Sequence, residues 1–305
     1  MRVFVTGLTG FVGSFVGRAL LEAGHEVVAL VRLGSEPKLG DLEHRVTIVH
    51  GDVNQVRSLE AGMAGCDAVI NLVGIIKEVP GKGVTFEKLH WEATRHLVDA
   101  AKAQGIGRFL QMSANGVKPE GTGYQVTKHR AEEYLKASGL AWTIFRPSVV
   151  FGEPDGRMNF VTELAAPMRF APAFPIFGDG DFPMQPVAAT DVALAFARAL
   201  TSPAAVGKTY CLGGARTLTY KEVARTIARA LGREHLALVS VPLPFVQVGV
   251  SLGEHVPHFP ITRDQLAMLV EGNACADTAW VEDLGITPQA FTVEALRFLK
   301  EPAAV

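Results

Sequence analysis

The opening of the chain constrains the fold more than anything that follows it. Arg2–Thr6 is a short, apolar, β-branched run, and Thr6-Gly7-Leu8-Thr9-Gly10-Phe11-Val12-Gly13 comes directly after it. Such a run reads as a buried strand. The apolar pattern over Gly10–Ala23, stopped at Gly24, reads as a helix. GxxGxxG between strand and helix has few structural solutions. Gly7 permits a tight turn, Gly10 lets backbone approach a pyrophosphate, and Gly13 lets the helix pack closely on the strand. Free N–H groups and partial positive charge at the helix start then favour phosphate. The strand-then-helix context separates this turn from a chance spacing of glycines.

The first half goes on alternating. Strands are expected at Glu26–Val31, Val46–His50, Asp67–Val73, Arg108–Ser113 and Ala141–Arg146. Between them come helices at Gln55–Met63, Phe86–Gln104 and Thr122–Ala137. Unalternated strands separated by helices imply an α/β fold: a doubly wound parallel sheet covered on both faces, of Rossmann type. Ligands then bind at the C-terminal strand ends. After Val150 the texture turns to Pro and Gly, until helical Asp191–Leu200 and a returning strand at Lys208–Leu212. A nucleotide-binding domain over 1–152 and 186–215 is expected, with a smaller substrate lobe over 153–185 and 216–305. Thr219 and Glu222 read as the capping box of a helix over Thr219–Leu231.

The end of the second strand discriminates between cofactors. An acidic residue there would bind the ribose hydroxyls of NAD(H); this chain has Arg32. Arginine pairs with a 2′-phosphate, so NADP(H) is favoured over NAD(H). At the end of the third strand, Asp52 can accept from an adenine amino group or cap the next helix, and Val53 can pack on the ring.

Composition excludes several classes. Net charge is -2 with both signs scattered, so no basic stripe suits nucleic acid. Cys66, Cys211 and Cys275 lack metal-ligand or CxxC spacing and read as packing thiols in a reducing compartment. No metal site is expected; His255 and His258, among prolines, read as loop residues. The glycines interrupt any signal-peptide core, and no apolar run reaches a membrane span. The expectation is a cytoplasmic protein. The apolar segment Val241–Leu252 reads as core, with a protein partner or a peripheral membrane contact as alternatives.

Tyr124 and Lys128 form YxxxK in the helix after the fifth strand, on one helical face. A nearby ammonium is expected to lower the tyrosine below its usual value of about 10. Such a tyrosine can exchange a proton with a hydroxyl or carbonyl while hydride moves to or from a nicotinamide. With the glycine turn, with Gly51-Asp52-Val53 and with Arg146–Gly152, the pair resembles the extended short-chain dehydrogenase/reductase superfamily. Asn71–Gly74, Met112–Ala114, Trp142–Pro147, Gln185–Val187 and Tyr210–Gly214 resemble its atypical subgroup that includes the nucleotide-binding accessory subunit of respiratory complex I.

The resemblance implies roles for particular residues. Thr9, Gly10, Phe11 and Val12 would wrap the pyrophosphate. Leu72, Val73 and Gly74 would line the adenosine side, and Lys128 would also hold the nicotinamide ribose. The backbone of Pro147, Val149 and Val150 would meet the carboxamide, and substrate would lie between the sheet edge and the residues after Gly152. The superfamily's substrate-orienting Ser or Thr stands two residues after the last apolar residue of the fifth strand. Here Ala114 holds that place and Ser113 falls one early, so Ser113 is the third catalytic candidate with Tyr124 and Lys128, contributing through a local shift. His90 stands near the position of a supporting asparagine and reads as a structural polar contact. Lys77 and Glu78 read as solvated loop charges, and Trp91 and Trp142 as packing. Two functions follow. An intact Tyr124/Lys128 pair points to an oxidoreductase or epimerase, the favoured reading. Ala114 and the accessory-subunit likeness point to a binding or assembly protein that turns over little.

Overall fold

The computed structural model describes residues 1–254 and 261–300, so His255 and His258 lie outside the described residues. The chain begins β1 (Arg2–Thr6), α1 (Phe11–Glu22), β2 (Glu26–Val31), β3 (Thr47–His50), α2 (Val56–Met63), β4 (Ala68–Asn71). It continues with α3 (Ala93–Ala103), β5 (Arg108–Met112), α4 (Gly123–Lys136), β6 (Ala141–Pro147), β7 (Val150–Phe151), α5 (Phe160–Met168), β8 (Ala173–Phe177) and β9 (Pro183–Met184). Then come β10 (Val187–Ala188), α6 (Ala189–Thr201), β11 (Lys208–Leu212), β12 (Leu218–Thr219), α7 (Tyr220–Ala230) and β13 (Ala237–Val241). The last are α8 (Leu243–Gly253), α9 (Arg263–Val270) and α10 (Ala279–Leu284).

These elements form two compact units. The first comprises Met1–Pro147, Ala189–Leu212 and Asp277–Thr287; the second comprises Ser148–Ala188, Gly213–Ala276 and the described residues from Pro288 onward. The first holds a seven-stranded sheet in the order β11-β6-β5-β4-β1-β2-β3. Every pairing in it is parallel, the returning strand β11 on β6 included. The expected α/β, doubly wound Rossmann-type sheet is therefore the observed one. Central strands bury both faces: Val3–Thr6 and Ala68–Asn71 are buried throughout. That is why they read as continuous apolar runs. The edge strand β3 is half exposed, as an edge allows.

Two differences from the sequence reading have physical reasons. The long helix expected at Phe86–Gln104 begins with a π-helical stretch at Glu87–Glu92 before α3. The wider turn changes which side chains face inward, and His90 becomes buried. The tail segment 277–287 packs with the sheet unit instead of the second lobe. Asp283 accepts a hydrogen bond from the Tyr210 hydroxyl at 2.7 Å, Arg198 donates to the Leu284 carbonyl at 2.8 Å, and Trp280 is wholly buried.

The second unit has its own core, in which Phe151, Met168, Ile176, Tyr220, Ile227 and Leu296 pack together. Small two-stranded sheets, β10–β7, β12–β9 and β13–β8, frame it. The expected capping box starts α7: Thr219 Oγ1 accepts from Glu222 N–H at 3.1 Å, and the Glu222 carboxylate accepts from Thr219 N–H at 2.7 Å. On α8, Val246 and Val250 are buried while Phe245, Val248 and Leu252 are exposed. That helix is thus core on one side only. No described helix is long and apolar enough to cross a membrane. Cys66 is a free thiol, pushed up in pKa by burial. Cys211 and Cys275 are disulfide-bonded, which corrects the expectation of thiols at those two positions.

Candidate dinucleotide and catalytic site

The glycine turn is built by close approach. A Cβ on Gly13 would stand 2.2 Å from the Gly7 carbonyl oxygen, and one on Gly7 would stand 2.8 Å from the Leu72 carbonyl carbon. Gly7 also has φ +82, a left-handed conformation that suits glycine. Gly10 differs: it is exposed, and a Cβ there would meet only the Gly7 oxygen, at 3.2 Å. Gly10 is the N-cap of α1, with no side-chain cap and no acidic residue in the first turn. The helix start is therefore an uncapped, acid-free cradle that fits an anion. Thr9, Phe11 and Val12 are half-buried around it.

The exit of β4 is held by a buried network that the sequence reading missed. Thr6 Oγ1 donates to Asn71 Oδ1 at 2.7 Å, and Asn71 Nδ2 donates to Gln111 Oε1 at 3.0 Å and Thr94 Oγ1 at 3.2 Å. Asn71 Oδ1 also accepts from Val73 N–H at 3.1 Å. Three strand ends are thus tied together and to the backbone N–H groups of Leu72 and Val73. The available signal was an asparagine closing an otherwise apolar strand, because a buried amide needs partners.

At the C-terminal end of β2, on the same sheet edge, Arg32 lies exposed and makes no ion pair among the described residues. It lines a cleft of about 340 Å³ together with Leu33, His50, Gly51, Asp52 and Gln55. Leu33 is 84 % exposed, an apolar side chain open at the cleft. Asp52 closes its own turn, accepting from Asn54 N–H at 2.9 Å, while Val53 is buried in the sheet core. Asp52 therefore closes a turn ahead of α2 and does not cap it, because the N-cap of that helix is Gln55 and it has no side-chain cap.

Tyr124 and Lys128 do come together, and with partners. The Lys128 ammonium lies 5.4 Å from the Tyr124 ring centroid. A Cβ on Gly74 would meet Lys128 Nζ at 3.3 Å and His90 Nε2 at 3.9 Å. His90 and Phe86 close the cluster: the His90 ring is edge-on to Tyr124 at 5.1 Å, Phe86 is edge-on to Tyr124 at 5.7 Å, and Phe86 stacks on His90 at 5.2 Å. Glu78 accepts from Phe86 N–H at 2.6 Å, so it is an anchor, not merely a solvated charge. His90 Nε2 lies 3.2 Å from the Ile75 nitrogen, whose N–H donates to it. Nδ1 lies 3.0 Å from Thr127 Oγ1, which itself donates to the Gly123 carbonyl at 2.7 Å. Nε2 also lies 3.1 Å from the Ile75 carbonyl oxygen, so the ring is held between Ile75 and Thr127 whichever nitrogen carries the proton.

Burial governs the charges. It lowers His90 to about 2, with Lys128 adding to the effect, so the imidazole is neutral at working pH. It lowers Lys128 to about 8, against the opposing pull of Glu132. It raises Tyr124 above the ordinary phenol value. The expected lowering of Tyr124 by its lysine neighbour is thereby corrected: loss of hydration around the phenol outweighs the ammonium.

Ser113 is placed elsewhere. It is buried, and its hydroxyl donates to Glu132, whose carboxylate is fully buried and also held by Arg146. Pro147 ends the first unit, and its carbonyl accepts from Asn115 N–H at 2.9 Å. In the second unit the Val149 carbonyl accepts from Val187 N–H at 3.0 Å, and Val150 pairs with Val187 in register. Trp91 carries Arg130 over its face at 4.6 Å, and Trp142 packs against the sheet core. Among the described residues no cluster suits a metal ion.

A parallel sheet with a glycine cradle at its first strand defines a dinucleotide-binding α/β protein. The chain belongs to the NAD(P)H-binding family, whose model matches residues 7–203. It is 27% identical over 263 residues to divinyl chlorophyllide a 8-vinyl-reductase of Oryza sativa subsp. indica, covering 81% of this chain and 63% of that protein. The chain thus spans somewhat less than two thirds of that relative's length. It is 26% identical over 308 residues to the mitochondrial NADH dehydrogenase (ubiquinone) 1 alpha subcomplex subunit 9 of Rattus norvegicus, covering 97% and 79%. Among solved structures, a UDP-glucose 4-epimerase of Thermotoga maritima matches with TM-score 0.75 and 20% identity over 98% of this chain and 97% of that one. That likeness shows the fold.

Proposed function

We propose that the protein is an NADP(H)-dependent reductase of the short-chain dehydrogenase/reductase type, acting on a carbonyl-bearing small molecule. The observation that carries this reading is the ammonium of Lys128, buried against Gly74 and over the Tyr124 ring. Bound NADPH would supply a hydride to the carbonyl carbon. Tyr124, raised in pKa, keeps its proton until the developing alkoxide takes it, which favours the reductive direction. The Lys128 ammonium then faces the phenolate and holds its charge. Gly7, Thr9, Gly10, Phe11, Val12 and Gly13 would hold the pyrophosphate, Leu72, Val73 and Gly74 the adenosine side, and Lys128 the ribose. Pro147, Val149 and Val150 would meet the carboxamide. Arg32, free of ion pairs in its cleft, supports a 2′-phosphate; Asp52 and Leu33 would border the adenine. Ser113, bound to Glu132, is better placed to position α4 than to touch substrate.

Purified protein with NADPH and a panel of carbonyl and quinone compounds tests the proposal, with cofactor oxidation followed by absorbance. Tyr124→Phe should lower turnover by about 10²–10⁴-fold while NADPH affinity stays unchanged. Equal rates for the two proteins on every oxidised compound would overturn the acid role.

Ala114 and the exposed face of Phe245, Val248 and Leu252 favour a second reading. A cofactor-loaded protein that docks a protein partner through α8 would need both a quiet site and such a face. Tight NADPH retention without turnover on the panel would select it.

A further inference from the structure

The NADP(H) reading rests on Arg32, yet Arg32 is not the sole nitrogen base in its cleft. We infer that His50 is a second, titratable contact for the 2′-phosphate, oriented by Glu36, so that preference for NADPH over NADH strengthens as His50 gains a proton. This inference deepens the NADP(H) reading and depends on it.

The sheet register brings the two side chains together. Val31 of β2 pairs with His50 of β3, so Arg32 leaves one strand end beside the place where His50 closes the next. Both line the same cleft of about 340 Å³. His50 Nδ1 lies 3.2 Å from Glu36 Oε1, and Nε2 has no protein partner among the described residues. The His50 side chain is 49% exposed and that of Glu36 only 20%. The ring is thus the more exposed member of the pair.

The charged groups around the ring are Glu36, Arg32 and Asp52. Asp52 has one carboxylate oxygen engaged by its own turn at Asn54. Glu36 would repel a phosphate bound at a neutral ring. A protonated His50 screens that repulsion and adds a donor, whereas a neutral one does neither. The contact is solvent-exposed, so its effect is modest, about three- to five-fold in relative affinity.

The test is fluorescence titration of the full chain with NADPH and with NADH at pH 6.5 and 8.5, at one ionic strength. The lower limit stays above the second ionisation of a phosphate monoester, near pH 6. The ratio of the NADH Kd to the NADPH Kd should be about three- to five-fold higher at pH 6.5 than at 8.5. In His50→Gln the ratio should not change with pH. In His50→Arg it should stay high at both pH values, because the charge is then permanent. A pH-independent ratio in the wild type, or an equal pH dependence in His50→Gln, overturns the inference. The NADP(H) reading fails separately: NADPH would then be preferred at neither pH, and Arg32→Ser would leave the ratio unmoved.

Discussion

The glycine turn and the Tyr124 cluster follow strands of one sheet, yet they are held by different forces. In the turn, backbone meets backbone: a Cβ on Gly13 would fall 2.2 Å from a carbonyl oxygen, and no rotamer can relieve that. In the cluster, side chains meet side chains, through ring contacts at 5.1 to 5.7 Å and hydrogen bonds that other polar groups can imitate. Steric construction fails all at once. Construction from hydrogen bonds and desolvation fails by degrees, and its chemistry shifts before its shape does.

The largest effect should come from breaking the turn. Gly13→Ala should destabilise the protein by about 1–3 kcal/mol through overpacking, and should abolish measurable NADPH retention. Gly10→Ala sharpens the point, since its Cβ would meet only one atom, at 3.2 Å, on an exposed helix start. That variant should melt near the wild-type temperature and still bind NADPH more weakly. Calorimetry and a fluorescence titration on both variants check this. Parallel losses in the two would mean that Gly10 is a packing residue, not part of a cradle.

This contrast also explains what could be read in the residues. The turn was legible because only glycine tolerates such approach, so geometry is written into residue type. The sheet was legible because strands buried on both faces carry no polar alternation. Tyr124 and Lys128 were legible as a pair, but the direction of the tyrosine's shift was not. It depends on how many atoms crowd the phenol, and a spacing of four carries no such information. The π-helical turn at Glu87–Glu92 was equally hidden, because its apolar positions at Leu89 and Ala93 suit an ordinary helix too. The cleft partners Leu33 and His50 became visible only through strand register. The return of 277–287 to the sheet unit depends on long-range contacts such as Tyr210 with Asp283.

A middle-sized effect should separate positioning from catalysis at the end of β5. Ser113→Ala removes a buried hydrogen bond to the Glu132 carboxylate but leaves its Arg146 partner in place. A loss of about 1.5–3 kcal/mol in stability is expected, since the acceptor is charged. Turnover per folded molecule should fall far less than in Tyr124→Phe. If instead Ser113→Ala keeps its melting temperature and loses turnover as Tyr124→Phe does, the serine touches substrate and the positioning role is wrong.

The smallest effect is a slope, and it tests whether desolvation rules the cluster. His90 sits near a pKa of about 2 in the folded protein, below the imidazole's ordinary value of 6.5. A group depressed on folding contributes stability that is complete above its unfolded pKa and is lost as pH falls toward its folded one. His90 should therefore hold its full contribution at pH 7.5 and forfeit about 1.4 kcal/mol by pH 5.5. His90→Gln keeps a group that can accept from Ile75 N–H and donate to Thr127, but it has no proton to gain. Urea denaturation at both pH values gives the comparison. The variant should be less stable than the wild type at pH 7.5, and the gap should narrow at pH 5.5. A gap of constant size would show that His90 takes up a proton as readily folded as unfolded, and a gap that widens at pH 5.5 would show that it already carries one in the fold. In either case the imidazole would stand as a cation beside Lys128 at pH 5.5, and the buried neutral ring would have to be abandoned.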